Sequence, residues 1–243
     1  MSSTTAARPA VRPRRVVTDR RGGRSRPPYD SFNLGAHVGD DPDDVAANRA
    51  RVARELGVPG DRLVWMAQVH GAGVAVVDGP RPEPVPSTDA LVTRTTGLVL
   101  GVLAADCVPV LLADPVAGVV AAVHAGREGL RLGVVPAAVE AMRGLGARPE
   151  RLSALLGPAV CGACYEVPAA MRAEVAAVAP DGAVRTRRGT PGLDLRAGLD
   201  GVLRGLGVAE VVHDPRCTVE DRRLFSHRRD GVTGRQAGLV WLG

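Results

Sequence analysis

Leu98–Gly129 reads LVLGVLAADCVPVLLADPVAGVVAAVHAGREG, and its punctuation decides the fold class. Three short apolar runs stand out: Leu98–Ala105, Val108–Ala113 and Val119–Val123. Runs of this length, rich in Val and Leu and bounded by Asp, Pro and Gly, predict buried strands. Asp114-Pro115 and Gly118 mark a turn between the second and third. Asp106-Cys107 follows the first run, and His124 follows the third. Neighbouring strands can bring a Cys and a His together although 17 positions separate Cys107 from His124. Strand ends are also where a rigid scaffold presents side chains to a site.

The rest of the composition narrows the class. The chain has 243 residues, enough for one large domain with a sizeable core. Only 2% of residues are aromatic, so Val, Leu and Ala must fill that core. The formal charge of +5 is uneven. Residues 1–28 carry eight Arg and one Asp, and the remainder carries 23 Arg against 25 acids. The near-neutral body argues against a nucleic-acid partner. The basic start lacks an apolar h-region and reads as a frayed tail over residues 1–15, not a secretory signal. Asp106, Pro109, Asp114 and Pro115 break the apolar stretch, so it is not a membrane span. Four Cys are too few for a disulfide scaffold of this size. Reduced thiols and a cytoplasmic, monomeric protein are the expectation.

Outward from the central stretch, the clearest helix starts at Asp41 as N-cap with Pro42 at N1 and ends at Gly57. Val45, Arg49, Val52 and Leu56 share one face, so Arg49 lies in an apolar stripe and needs an anionic or carbonyl partner. That partner is either a structural group or a bound oxyanion. Arg21–Ser25 predicts a hairpin turn after Val16-Val17. Leu63–Val69, Val74–Val77, Leu152–Leu156, Glu210–His213 and a final run to Leu242 predict strands. A helix through Val134, Ala138 and Met142 to Gly144, entered by way of Gly126 and Gly129, contains an awkward Pro136, which means a kink or a start there. Pro168–Val178 and Leu193–Leu206 predict helices, and Asp181–Gly192 an exposed loop. No linker or repeat divides the chain, so a single mixed α/β domain over 16–243 is expected.

His70, Cys107 and His124 carry the chemistry. Two imidazoles and a thiolate match a zinc site with one open position. The same residues are consistent with a Cys107–His124 nucleophilic pair, or with a buried Cys and two surface His. Asp106 can serve either site as proton donor or acceptor. Cys161-Gly162-Ala163-Cys164 is half of a zinc knuckle without a second half nearby, and reads as two small buried thiols. His37 and His213 read as ordinary polar residues. Arg228 and Arg235 are candidates to line an anionic pocket, and Arg229 reads as solvated.

The strings NLGAHVGDDPDDVAANR, QVHG, TDALVT, ADCVPVLLADP, AVHAG, LGPAVCGACYEV and FSHRRDGVTGRQAGLVWL occur in that order. Together they resemble the YfiH family, also known as polyphenol oxidase or laccase-domain proteins and as purine nucleoside phosphorylases. The resemblance implies a four-layer α/β/β/α sandwich with mixed sheets. It implies zinc held by His70, Cys107 and His124. It implies phosphorolysis of adenosine, inosine and methylthioadenosine, with adenosine deamination. Asn48, Arg49, Gln68 and Gly126 fall on family motif positions near that site and are expected to bind substrate. Copper is the less favoured metal, because five His are too few for a multicopper cluster. One departure stands out. The family pattern is HAGWRG, whereas this chain has Arg127 and Glu128 in place of Trp and Arg. A carboxylate at Glu128 is expected to oppose phosphate, which leaves a non-catalytic family member as an alternative. A metal-free cysteine hydrolase is another.

Overall fold

A computed structural model describes residues 12–243. In chain order the strands are β1 Pro13–Val17, β2 Leu63–Trp65, β3 Val74–Val76, β4 Ala90–Thr93, β5 Val99–Ala104, β6 Val108–Asp114, β7 Val119–Ala125, β8 Ser153–Leu156, β9 Ala183–Arg185, β10 Pro191–Leu193, β11 Glu210–His213 and β12 Gln236–Leu242. The helices are α1 Pro42–Leu56, α2 Arg127–Leu132, α3 Val134–Gly144, α4 Ala169–Ala176, α5 Leu195–Gly205 and α6 His227–Asp230. No described helix is long and apolar enough to cross a membrane.

The three central runs become β5, β6 and β7, but they do not share one sheet. β5 lies in a four-stranded sheet of order β1-β12-β5-β2. β6 and β7 lie in a six-stranded sheet of order β11-β8-β6-β7-β4-β3. Both sheets mix parallel and antiparallel pairs. Side chains alternate along each strand, so a strand buried on both faces feeds two different cores. Leu100 and Val102 of β5 and Val240 and Leu242 of β12 meet Leu111, Ala113, Val120 and Ala122 of the larger sheet. Val99, Leu103, Leu239 and Trp241 point the other way, onto Val52 and Ala53 of α1. Val110, Leu112, Ala121 and Val123 point onto α3 and α5 through Ala138, Met142, Leu199 and Leu203. The layers are therefore α1, small sheet, large sheet, and α3 with α5. This is the four-layer sandwich.

Several local expectations change. β1 starts at Pro13, inside the expected 1–15 tail, because its residues pair with β12 from Pro13↔Leu242 to Val17↔Gly238. Residues 1–11 of that tail lie outside the described residues. The same pairing removes the expected hairpin after Val17. The stretch 129–144 is two helices joined at Gly133, whose φ of 80° breaks the first, and Pro136 falls in the first turn of the second. The expected loop 181–192 contains the hairpin β9–β10.

Candidate metal centre and cavity

The site forms where the chain crosses between the sheets. β5 ends at Ala104 and β6 begins at Val108, so Ala105, Asp106 and Cys107 make the crossing. Asp106 turns with φ of 98°, a conformation few non-glycine residues adopt. Its carboxylate accepts from Thr218 Oγ1 at 2.6 Å, Ser226 Oγ at 2.7 Å and the Arg228 amide at 2.6 Å. The C-terminal segment thus locks the turn that presents Cys107. β7 delivers His124, which faces Pro109 across the ladder. His70 follows β2 in a loop, with φ of 58°. One ligand atom each from His70, Cys107 and His124 lies within 4.8 Å of the others. The two imidazoles meet edge to face, 4.7 Å between centroids.

Asp89 organises both imidazoles. It sits just before β4, fully buried. Its carboxylate accepts from the amides of Val69, His70 and Gly71 at 3.2, 3.0 and 2.8 Å. These bonds hold His70 in its left-handed conformation. Asp89 also takes the Nδ1 hydrogen of His124 at 2.8 Å, which leaves Nε2 of that ring free to accept a cation. Burial would raise the Asp89 pKa, but His124 and the Gly71 and Val69 amides outweigh it and hold it below the usual carboxylate range.

The charges within the cluster favour the ligand form of the thiol. Burial pushes Cys107 up, yet the two imidazoles outweigh that and bring it down to about 6. Burial pushes His124 down, yet Cys107 and Asp89 raise it. A thiolate beside a cationic imidazole is therefore the favoured pairing, and any cation placed among the three donors would take the proton's role. Space around the sulfur is tight. A Cβ at Gly126 would come 2.8 Å from Cys107 Sγ and 3.3 Å from His70 Cδ2. Gly126 is thus a fitting element of the cluster wall and the N-cap of α2.

The three donors line a cavity of about 380 Å³, the size of a small-molecule site. His37, Gln68, Arg127, Tyr165, Arg228 and Arg235 line it with them. Arg228 lies over the Tyr165 ring, 5.0 Å from its centroid. Arg235 is anchored through Nη1 to the carbonyls of Thr233 and Gly234, both at 2.9 Å. Neither Arg228 nor Arg235 has a carboxylate within ion-pair distance among the described residues. Burial lowers Arg235 without removing its charge.

Asp106, expected in catalysis, lines the cavity. The expected substrate residues divide. Gln68 lines the cavity, and Gly126 abuts Cys107 and His70 without lining it. The Gln68 amide is committed to Leu103, accepting from its N–H and donating to its carbonyl, both at 2.8 Å. Asn48 and Arg49 are not among the cavity-lining residues. Asn48 is buried and donates to Ser25, Ser31 and Asn33 while accepting from the Arg24 amide. It knits the loop ahead of α1. Arg49 donates to the Leu34 carbonyl at 2.9 Å and lies over Trp65 at 4.7 Å, so its partner is a carbonyl. Burial brings it down to about 10. Glu128 pairs with Arg127 and with Arg131 at 2.9 Å, so its charge is neutralised within α2.

Arg228 and Arg235 line the cavity as expected. Arg229 is not the solvated residue expected: its guanidinium is largely buried, because it donates to Asp230 and to the carbonyls of Thr218 and Leu224. His37, Tyr165 and His227 also line it, although nothing in their local sequence singled them out. Asp89 was missed as well. Its signal is a lone acid inside the apolar run TDALVT, which must find donors when buried.

A family model described as multi-copper polyphenol oxidoreductase laccase matches residues 14–243. The chain belongs to this family. It is 60% identical over 233 residues to a purine nucleoside phosphorylase of Mycobacterium tuberculosis, covering 96% of this chain and 93% of that protein. It is 61% identical to one of Streptomyces coelicolor, with 93% of each covered. Among solved structures, YlmD of Geobacillus stearothermophilus is similar with a TM-score of 0.89 and 33% identity, over 95% of this chain and 92% of that one. The hypothetical protein YfiH of Bacillus licheniformis is similar with a TM-score of 0.88 and 32% identity, over 93% and 91%.

Proposed function

We propose that this protein is a zinc-dependent purine nucleoside phosphorylase, acting on adenosine, inosine and methylthioadenosine and also deaminating adenosine. The observation that carries the reading is the three-donor cluster opening onto a cavity whose wall holds the Arg228 and Arg235 guanidinium groups, neither of them in an ion pair among the described residues. The naming of the relatives supports the reaction class.

His70, Cys107 and His124 fit zinc by donor type and spacing, and a bound ion would supply Lewis acidity at the cavity floor. In phosphorolysis a phosphate oxygen bonds to the ribose C1′, the C1′–N9 bond breaks, and the purine leaves with a proton. The proposed role of Arg228 and Arg235, which line the cavity, is to hold the phosphate dianion. Tyr165 offers the cavity an aromatic face. Asp106 is fully engaged with Thr218, Ser226 and Arg228, so its proposed part is to position Cys107 and Arg228. Deamination replaces the purine amine with water oxygen and releases ammonia, and needs no phosphate. Four unpaired thiols fit a reducing compartment, and we place the protein in the cytoplasm.

The test is adenosine turnover with and without phosphate, alongside metal analysis. The expected products are adenine and ribose 1-phosphate with phosphate, and inosine and ammonia without it. The Cys107–His124 ion pair also supports a metal-free cysteine hydrolase. Full activity after chelation to zero metal would favour that second reading.

A further inference from the structure

The chain has four Cys. One belongs to the cavity cluster, and the other three meet elsewhere. Cys161, Cys164 and Cys217 come together with Glu220, one ligand atom from each within 4.8 Å of the others. This convergence brings together positions 53 or more residues apart, so chain proximity does not explain it.

The two contributing loops have the same form. Cys161 and Cys164 are three residues apart, and so are Cys217 and Glu220. In the first loop the Cys164 and Tyr165 amides both donate to the Cys161 carbonyl at 2.9 Å. In the second the Glu220 and Asp221 amides donate to the Cys217 carbonyl at 3.2 and 2.8 Å. Each loop is thus a tight turn that points its first and last side chains to one side. A bridge between Ala159 and Cys217 joins the turns, with the Thr218 amide donating to the Ala159 carbonyl at 3.1 Å. The Cys161 amide points at Cys217 Sγ, 3.4 Å away. An N–H aimed at sulfur suits a thiolate better than a thiol. Arg187 pairs with Glu220 and offsets part of the negative charge. Gly162 is required by the first turn, since a Cβ there would meet Asp194 Cβ and Val184 Cγ2 at 2.9 Å.

We propose that Cys161, Cys164, Cys217 and Glu220 bind a second zinc ion, with four protein donors and no open position. Three thiolates and a carboxylate suit tetrahedral zinc, and a full donor set marks a structural site. Its position gives it a task. Val160 and Tyr165 flank the first turn and line the cavity. Thr218 follows Cys217 and holds Asp106 at the crossing between sheets. The ion clasps two loops that shape the cavity wall, without taking part in the reaction.

The test uses the full chain, purified under reducing conditions, with zinc counted by native mass spectrometry and by elemental analysis. Two ions per chain are expected. Cys164→Ser or the pair Cys161→Ser with Cys164→Ser should leave one, and His70→Ala should leave the other. Cobalt loading should give sulfur-to-cobalt charge-transfer absorption that weakens in Cys164→Ser and persists in His70→Ala. The melting temperature should fall by about 5 °C or more in Cys164→Ser. Glu220→Gln, which keeps the fold's thiols intact, should weaken retention of the second ion against a chelator at least about tenfold. A single ion that His70→Ala removes, no ion at all in the Cys set of wild type, or a disulfide among the three Cys under these conditions would each overturn the proposal. Loss of the ion from the His70 cluster alone would instead count against the proposed catalytic zinc, so the two readings fail separately.

Discussion

The two donor clusters of this molecule are built in opposite ways. His70, Cys107 and His124 arrive at strand ends and crossings, oriented by a buried carboxylate, and open onto a cavity. Cys161, Cys164, Cys217 and Glu220 arrive in two matched turns, bonded to each other through the backbone. The first has three donors and room beside them, and the second has four. Three donors with space leave a position for a reactant, and four close the shell. Function in this fold therefore follows from what the scaffold leaves open.

The largest expected effect separates the clusters directly. Cys107→Ser should reduce turnover on the order of 10³-fold or more while leaving the melting temperature nearly unchanged, the scale on which removing a central catalytic group acts. Cys164→Ser should do the reverse, lowering the melting temperature while turnover per folded molecule stays within about threefold. Paired steady-state and thermal-melt measurements check both. Equal behaviour of the two variants would break the comparison.

Asp89→Asn sharpens it next. The orienting bond to His124 is lost in charge but not in shape, so metal affinity of the first cluster should drop about 10- to 100-fold. The second cluster should keep its ion. A stability consequence follows from the same carboxylate. Its folded pKa lies below the ordinary value, so its contribution is present above the unfolded pKa near 3.9 and is lost as pH falls through the folded value. Acid titration of the wild type should therefore show a loss of stability below about pH 4 that Asp89→Asn lacks. A variant with the wild-type acid profile would remove Asp89 from the organising role.

Much of this was legible in sequence, and the gaps have physical causes. Apolar runs and their Asp, Pro and Gly boundaries marked β5, β6 and β7 and put Cys107 and His124 at their ends. The runs could not show that β5 and β6 belong to different sheets, because burial on both faces erases the alternation that would distinguish them. The asymmetric caps of α1, Asp41 and Gly57, were read directly and recur in the structure. Cys161 and Cys164 looked like half a knuckle because the other half, Cys217 and Glu220, lies in a distant loop. The cavity wall draws on at least seven separate stretches of the chain, from His37 to Arg235, and no local pattern reports such a meeting.

Arg49 tests the boundary of the first cluster. Its charge helps lower His37, where burial acts first and Arg235 second. Arg49→Ala should cost about 1–3 kcal/mol of stability through the lost Leu34 bond and Trp65 stacking. The KM for phosphate should change less than about twofold. Arg49→Lys should recover little of the stability, since a lysine does not stack as a guanidinium does. A tenfold rise in phosphate KM at unchanged melting temperature would return Arg49 to the substrate.

The smallest effect is expected from the departure at Arg127 and Glu128. By sequence, a carboxylate replaces a cation beside His124 and should repel phosphate. In the folded chain Glu128 is held by Arg127 and Arg131, and Arg127 also faces Glu174 at 3.8 Å. Glu128 does not line the cavity, whereas Arg127 does. Its pKa is lowered, first by the Arg131 bond, so it is an anion already matched by cations. Exposed pairs of this kind are also screened by salt. The double change Arg127→Trp with Glu128→Arg should therefore shift phosphate KM by less than about threefold, with deamination moving still less. Steady-state assays of both reactions at one fixed ionic strength check it. A tenfold tightening for phosphate alone would mean that Glu128 acts on the substrate through the cavity wall, and that the ion pairs of α2 open when phosphate binds.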